Sequence, residues 1–340
     1  MKFLKKLPDA EILKEKYSLS DALKLKRKNI ISEIKLVLEG KSNKKILCIG
    51  PCSADNEDAV LTYVYKLAKI AGETKDKLVI VPRIYTSKPR TTGTGYKGLL
   101  HRPLVNNIDQ ISAGIIAMRK LHLHVIQETE MVTADEMLYP EATYYIEDLL
   151  GYIAIGARSV ENQQHRLVAS GVNVPVGMKN PTGGDLDILL NAITAAQAPQ
   201  SLLYHGWECS SEGNSYTHAI LRGYVDSFGN SHPNYHYENL SELHDLYIKR
   251  NLKNMGVIVD CNHSNSNKHY DEQIRISKDV LQTCSYSKEL NKFVKGLMIE
   301  SYLEDGSQMI DEGVFGKSIT DPCLGWNKTE KLIYEIAELI

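Results

Sequence analysis

The stretch VPRIYTSKPRTTGTGYKG, residues 81–98, sets Arg83, Lys88, Arg90 and Lys97 among three glycines and four threonines, directly after an apolar run. Cations in a segment rich in hydroxyls and permissive backbone suit an anion, because Arg and Lys grip phosphate and carboxylate through charge-assisted hydrogen bonds. Further cations stand just beyond other apolar runs: Arg158 after YIAIGA, Lys179 in VPVGMKN and Arg222 in AILRG. Each alone is accounted for by a snorkelling side chain or a surface ion pair. Gathered in one pocket they would repel one another unless anions balanced them, and their number asks for more than one anionic group.

A second set has different chemistry. Cys52 in GPCSADN, His263 in DCNHSNS, Glu300 in MIES and Asp321 in SITDPC offer a thiolate, an imidazole and two carboxylates. Such a mixed soft and hard set suits Mn²⁺, Fe²⁺, Co²⁺ or Zn²⁺ better than Mg²⁺. Their spacing carries no local signature. A lone Cys beside a strand is ordinarily a small buried hydrophobe and a lone His a packed one, so the set becomes a metal site only if the fold unites distant segments.

The elements that would unite them are legible in the periodicity. Short β-branched runs alternate with longer amphipathic stretches, the pattern of parallel strands joined by helical crossovers. The spacing predicts strands at 45–50, 77–85, 124–129, 152–158, 174–180, 201–206, 257–263 and 295–301. Eight strands over this length make a (β/α)₈ barrel, whose functional groups come from the carboxyl ends of the strands. The competing doubly wound sheet wants a glycine-rich turn after its first strand, and GPCSADN is not GxGxxG. HAILRGYVD reads as a small β insertion between strands six and seven. Residues 1–43 have helical spacing, with Ser20 and Asp21 as a start signal and Gly40 as a stop, so the chain divides into an arm at 1–43 and a barrel at 44–340. The arm carries more apolar surface than it can bury alone, which points to a homodimer or homotetramer.

Bulk properties narrow the classes. The formal charge of −2 over 340 residues supplies no general field for nucleic acid or an anionic membrane, and no apolar run reaches the length of a membrane span. The six cysteines form no CxxC pair or framework, and the opening MKFLKKLPDAEILKEKY is too charged for a signal peptide. A reduced, cytoplasmic protein is expected. Cys323 lies close enough in sequence to Asp321 to reach Cys52 under oxidation, and His165 is held in reserve as a site residue.

Taken together, GPCSADN, PRIYTSKPRTT, ADEM, IGARSVENQQHR, PVGMKN, AILRG, NHSNS, MIES and GKSITDPCLGW resemble the class I 3-deoxy-D-arabino-heptulosonate 7-phosphate (DAHP) synthases, from about Lys44 to the end of the sequence. The resemblance implies a metal-dependent condensation of phosphoenolpyruvate with erythrose 4-phosphate. It implies that Lys88, Pro89, Arg90 and Thr91 hold the tetrose phosphate, and that Arg83, Arg158, Lys179 and Arg222 hold phosphoenolpyruvate. Lys88 would lie between the substrates as proton donor, and Glu136 beside the enolpyruvate. Cys52, His263, Glu300 and Asp321 would hold the divalent ion, Mn²⁺ before Fe²⁺, Co²⁺ or Zn²⁺. The arm differs most from the family pattern, in a region that the resemblance ties to feedback inhibition by aromatic amino acids.

Two other functions fit parts of the pattern. A 3-deoxy-octulosonate 8-phosphate synthase would share barrel and enolpyruvate chemistry, but the KPRT segment speaks against it. A non-catalytic sugar-phosphate sensor would be expected to lack a metal ligand or the central lysine.

Overall fold

The computed structural model describes residues 1–90, 93–104 and 109–340. The chain runs α1 (Ala10–Lys16), α2 (Asp21–Leu38), β1 (Lys45–Gly50), α3 (Glu57–Glu73), β2 (Leu78–Pro82), α4 (Ile111–Thr129), β3 (Thr133–Glu136) and α5 (Pro140–Thr143). It continues through β4 (Leu150–Ile155), α6 (Gln163–Gly171), β5 (Val176–Lys179), α7 (Leu186–Gln197), β6 (Gln200–Tyr204), β7 (Trp207–Ser211), β8 (Thr217–Leu221), β9 (Tyr224–Val225) and β10 (Ser231–His232). The last elements are α8 (Tyr237–Lys249), β11 (Val257–Asp260), α9 (Glu272–Tyr286), α10 (Lys288–Phe293), β12 (Val294–Glu300) and α11 (Trp326–Leu339). Among the described residues, no helix is long and apolar enough to cross a membrane.

Eight parallel strands lie in the order β2-β1-β12-β11-β8-β5-β4-β3. A parallel bridge from Arg83 to Ala134 brings the two outer strands together, with the Ile84 N–H donating to Ala134 O at 2.8 Å, and the sheet becomes a nearly closed barrel. Side chains alternate along each strand. Ile46, Cys48, Val79, Val81, Ile220, Ile258 and Met298 fill the lumen, while Leu47, Ile49, Leu78, Ile80, Val259 and Leu297 meet the surrounding helices.

Helix α2 is part of this core. Ser20 caps it, accepting the Leu23 N–H, and Gly40 ends it in the left-handed region at φ +72°, as its sequence signals predicted. Its Ile34, Val37 and Leu38 sit in the lumen cluster and plug the amino-terminal mouth, each stabilising the fold by about 2 kcal/mol through burial. The first residues stay outside, with Phe3, Leu4, Ile12 and Leu25 exposed.

Two strand expectations are corrected. Residues 124–129, read as the third strand, are the last turns of α4. The true third strand is Thr133–Glu136, hidden from the periodicity because its helix-facing side chains are polar and are satisfied by His122 rather than by apolar packing. Residues 201–206, read as the sixth strand, belong to the hairpin β6–β7 outside the barrel. Its turn at His205 and Gly206 takes φ of +50° and +77°, the geometry that two-residue hairpin turns need, and only Leu202 of β6 is buried. The sixth barrel strand is instead Thr217–Leu221, within the segment read as an insertion. A small ladder, β9–β10, does stand between the sixth and seventh barrel strands.

Candidate active site

The carboxyl ends of the barrel strands open into a cavity of about 270 Å³. Cys52 reaches it just beyond β1, Lys88 and Arg90 beyond β2, Glu136 at the end of β3, Arg158 beyond β4, Lys179 at the end of β5 and Arg222 beyond β8. His263 follows β11, and Asp321 comes from the closing loop before α11.

Three of the four expected metal ligands meet. One donor atom each from Cys52, Glu300 and Asp321 lies within 4.8 Å of the others. The adjacency follows from β1 pairing with β12 in a register that sets Gly50 beside Glu300. His263 stands beside this trio: its Nε2 is 3.9 Å from Glu300 Oε1 and its Nδ1 2.9 Å from Asp260 Oδ2. Burial lowers the affinity of the His263 ring for a proton, with Asp260 opposing. Burial, reinforced by the charge of Glu300, pushes the Cys52 thiol up. Burial likewise resists ionisation of Glu300, yet Arg83 and His263 outweigh it and hold that carboxyl below its ordinary value. A thiol kept protonated between two carboxylates is a site that a divalent cation fits, because the ion replaces the proton and balances the negative charge.

The cations form the other wall. Lys179, buried, pairs with Asp260 at 2.9 Å, and Lys88 is buried too, with neighbouring negative charge, that of Glu300 included, holding its ammonium protonated against the cost of burial. Arg83 lies beneath the cavity, 1% exposed, donating from Nη2 to Glu300 at 2.8 Å and from Nε to Pro51 O at 3.2 Å. Its Nη1, and that of Arg222, are buried with no hydrogen-bond partner among the described residues. Two orphaned guanidinium nitrogens at one site are costly unless a ligand's oxygens meet them.

Residues 24–333 match the family described as "DAHP synthetase I family". The chain belongs to that family. It is 36% identical over 312 residues to the Phe-sensitive phospho-2-dehydro-3-deoxyheptonate aldolase of Escherichia coli (strain K12), spanning 89% of this chain and 86% of the relative. The Tyr-sensitive enzyme of the same strain is 34% identical over 309 residues, 88% of this chain and 83% of the relative. The solved structure of phospho-2-dehydro-3-deoxyheptonate aldolase from Francisella tularensis SCHU S4 superposes with a TM-score of 0.93 at 30% identity, covering 100% of this chain and 98% of that one.

Against the DAHP synthetase I resemblance, Pro89 and Arg90 line the cavity as expected, whereas Thr91 lies outside the described residues. Gly98, at φ +93°, lets the loop fold back on itself, since a Cβ there would stand 2.4 Å from Thr86 O. Gly156 yields space to the Glu136 carboxylate, 2.4 Å from where its Cβ would be. His165, held in reserve, does not line the cavity; its Nε2 meets Leu138 O at 3.0 Å. Cys323 Sγ accepts the Cys52 N–H at 3.4 Å, so the two cysteines are neighbours.

Several supporting residues escaped the sequence reading. Asp260 faces both Lys179 and His263. Asn262 donates to Glu300 Oε2 at 2.6 Å, and the side-chain amide of Gln273 brackets the Glu300 backbone, donating to its O at 2.9 Å and accepting its N–H at 2.8 Å. Lys268 pairs with Asp321 at 2.9 Å. Beneath the Lys88 loop, Asp135 accepts the Thr86 N–H at 2.9 Å and meets His122 Nε2 at 3.1 Å. The available signal was a carboxylate closing an apolar strand, as in VIVD.

Proposed function

We infer that the chain condenses phosphoenolpyruvate with D-erythrose 4-phosphate to give DAHP and inorganic phosphate, the entry reaction of the shikimate pathway to aromatic amino acids. Family membership supports this, and the observation that carries it is a Cys52, Glu300 and Asp321 trio bordering a cavity walled by Lys88, Arg90, Arg158, Lys179 and Arg222.

In this reading Lys88, Pro89, Arg90 and Thr91 hold the tetrose phosphate. Arg158, Lys179 and Arg222 hold the phosphate of phosphoenolpyruvate, the free Nη1 of Arg83 turns to its carboxylate, and Glu136 lies beside the enol. Holding two mutually repelling anions with C3 of the enol against the aldehyde carbon converts an encounter into an intramolecular step. As the new carbon–carbon bond forms, the Lys88 ammonium gives its proton to the aldehyde oxygen. Water adds at C2, and phosphate leaves by C–O cleavage while the three cations around it neutralise the developing charge. Cys52, His263, Glu300 and Asp321 would hold the divalent ion, Mn²⁺ first, which when bound supplies Lewis acidity at the aldehyde carbonyl.

Phosphate release measured with both substrates, with and without a chelator, tests the reaction and its metal requirement. Arabinose 5-phosphate offered beside erythrose 4-phosphate tests the octulosonate alternative, which the family assignment disfavours. Lys88→Met should lower turnover by about two orders of magnitude, within the range for a lost general acid, with metal content and folding retained; unchanged turnover would remove Lys88 from this role.

Two relatives carry Phe-sensitive and Tyr-sensitive in their names, and this chain is proposed to be inhibited by an aromatic amino acid. Adding Phe, Tyr or Trp to the same assay identifies which. The exposed apolar residues of the arm support a homodimer or homotetramer, with residues 1–43 as an assembly and regulatory segment and 44–340 as the catalytic barrel. Light scattering of the whole chain beside a truncation of its first eight residues checks that role. The cytoplasm is the proposed compartment.

A further inference from the structure

Tyr85 follows β2 on the segment that leads to Lys88, and it does not line the cavity. Its side chain is fully buried and belongs to the lumen cluster with Cys48, Val81, Tyr152 and Met298. Its carbonyl accepts the Ala54 N–H at 2.9 Å, which ties it to the loop that carries Cys52. Among the described residues the Tyr85 hydroxyl meets Met298 Sδ at 3.8 Å, a weak acceptor, whereas Tyr152 in the same cluster has His218 Nε2 at 2.8 Å. A phenol buried on so poor a partner costs free energy that an aliphatic side chain in the same space avoids.

What the ring offers is its face. The Arg83 guanidinium carbon lies 3.9 Å from the ring centroid and the Lys88 ammonium 5.7 Å from it, both inside the roughly 6 Å over which an aromatic quadrupole attracts a cation. Arg83 is 1% exposed and Lys88 8%, so water screens neither contact, and desolvated contacts of this kind are the strong ones. The edge of the guanidinium is engaged by Glu300 at Nη2 and by Pro51 O at Nε. Stacking on Tyr85 adds the remaining constraint, the tilt of the plane in which the free Nη1 points. Lys88 has a flexible stem and a like charge in Arg83, and an electron-rich ring gives both cations a common anchor against their mutual repulsion.

We propose that Tyr85 is a positioning residue for the condensation, its π face holding the Arg83 guanidinium for the enolpyruvate carboxylate and the Lys88 ammonium for the aldehyde oxygen. The inference rests on the functional reading given above. Tyr85 meets neither substrate and acts through the two cations, so one ring sets the alignment of groups that serve different substrates.

Phenylalanine and its mono-, di- and trifluorinated forms, introduced at position 85 of the full-length, metal-loaded protein by nonsense suppression, drain the ring face stepwise while nearly preserving its shape. Tyr85→Phe keeps the face and should hold kcat/KM for phosphoenolpyruvate within about threefold of wild type, whereas the trifluorinated form should fall about tenfold or more below it, graded in the number of fluorines. Tyr85→Leu, which fills space without a face, should fall at least as far. A role in packing alone would leave the fluorinated forms level with Tyr85→Phe. That level series, in protein whose wild type releases phosphate from the two substrates, overturns this inference alone, as does a loss of tenfold or more in Tyr85→Phe itself, which would assign the role to the hydroxyl. A wild-type chain that releases no phosphate overturns the functional reading and this inference with it.

Discussion

Asp260 serves two neighbours with opposite needs: Lys179 requires a counter-charge, and the neutral His263 ring requires orientation. Burial raises the cost of its ionisation, but His263 and Lys179 prevail and hold the carboxyl far below the ordinary range. Asp260→Asn would leave Lys179 buried without a partner, a change expected to cost about 3–5 kcal/mol and readable as a lower urea midpoint. Cys52 carries a different prediction. Cys52→Ser should fold normally yet lose its metal on dialysis, because a hydroxyl is a far poorer ligand than a thiolate for these ions; metal analysis after dialysis checks it, and retention equal to wild type would count against the trio.

At the scale of elements, the third strand shows how a local deficit is repaired. Thr133 and Asp135 turn toward α4, where apolar packing is normally found, and His122 answers both, at 2.9 Å and 3.1 Å. The same carboxylate ties the Thr86 backbone and hence the Lys88 loop. Asp135→Ala is therefore expected to lower stability by about 2–4 kcal/mol and to raise KM for the tetrose phosphate more than it changes KM for phosphoenolpyruvate; steady-state kinetics with each substrate varied in turn would check this. This strand also marks where sequence reading stops. KILCIG and KGLMIE are buried on both faces and read as unbroken apolar runs, whereas TADE does not, and the β-branched end of α4 took its place. Arg222 is legible as a cavity residue even where its strand is not, because it follows an apolar run whichever strand that run forms. Asp260, Asn262 and Asp135 resemble ordinary loop polar groups until their tertiary partners are known.

For the whole molecule, a histidine inside the barrel should help to shape its acid stability. His218 projects into the lumen, 2.8 Å from the Tyr152 hydroxyl, and burial pulls it from 6.5 to about 4. Between those values the unfolded chain binds a proton that the folded chain refuses, so stability is lost as pH falls from about 6.5 toward 4. The full effect approaches ~3 kcal/mol. Urea unfolding across this range should show the slope, and His218→Gln should flatten it; an unaltered slope in the variant would assign the acid sensitivity elsewhere.

Barrel closure sets an order of events in the life of the polypeptide. Cys52 emerges from the ribosome early and Glu300 late, and they become neighbours only when β12 docks against β1. A growing chain therefore cannot bring these two side chains together until the last barrel strand has been made and has docked.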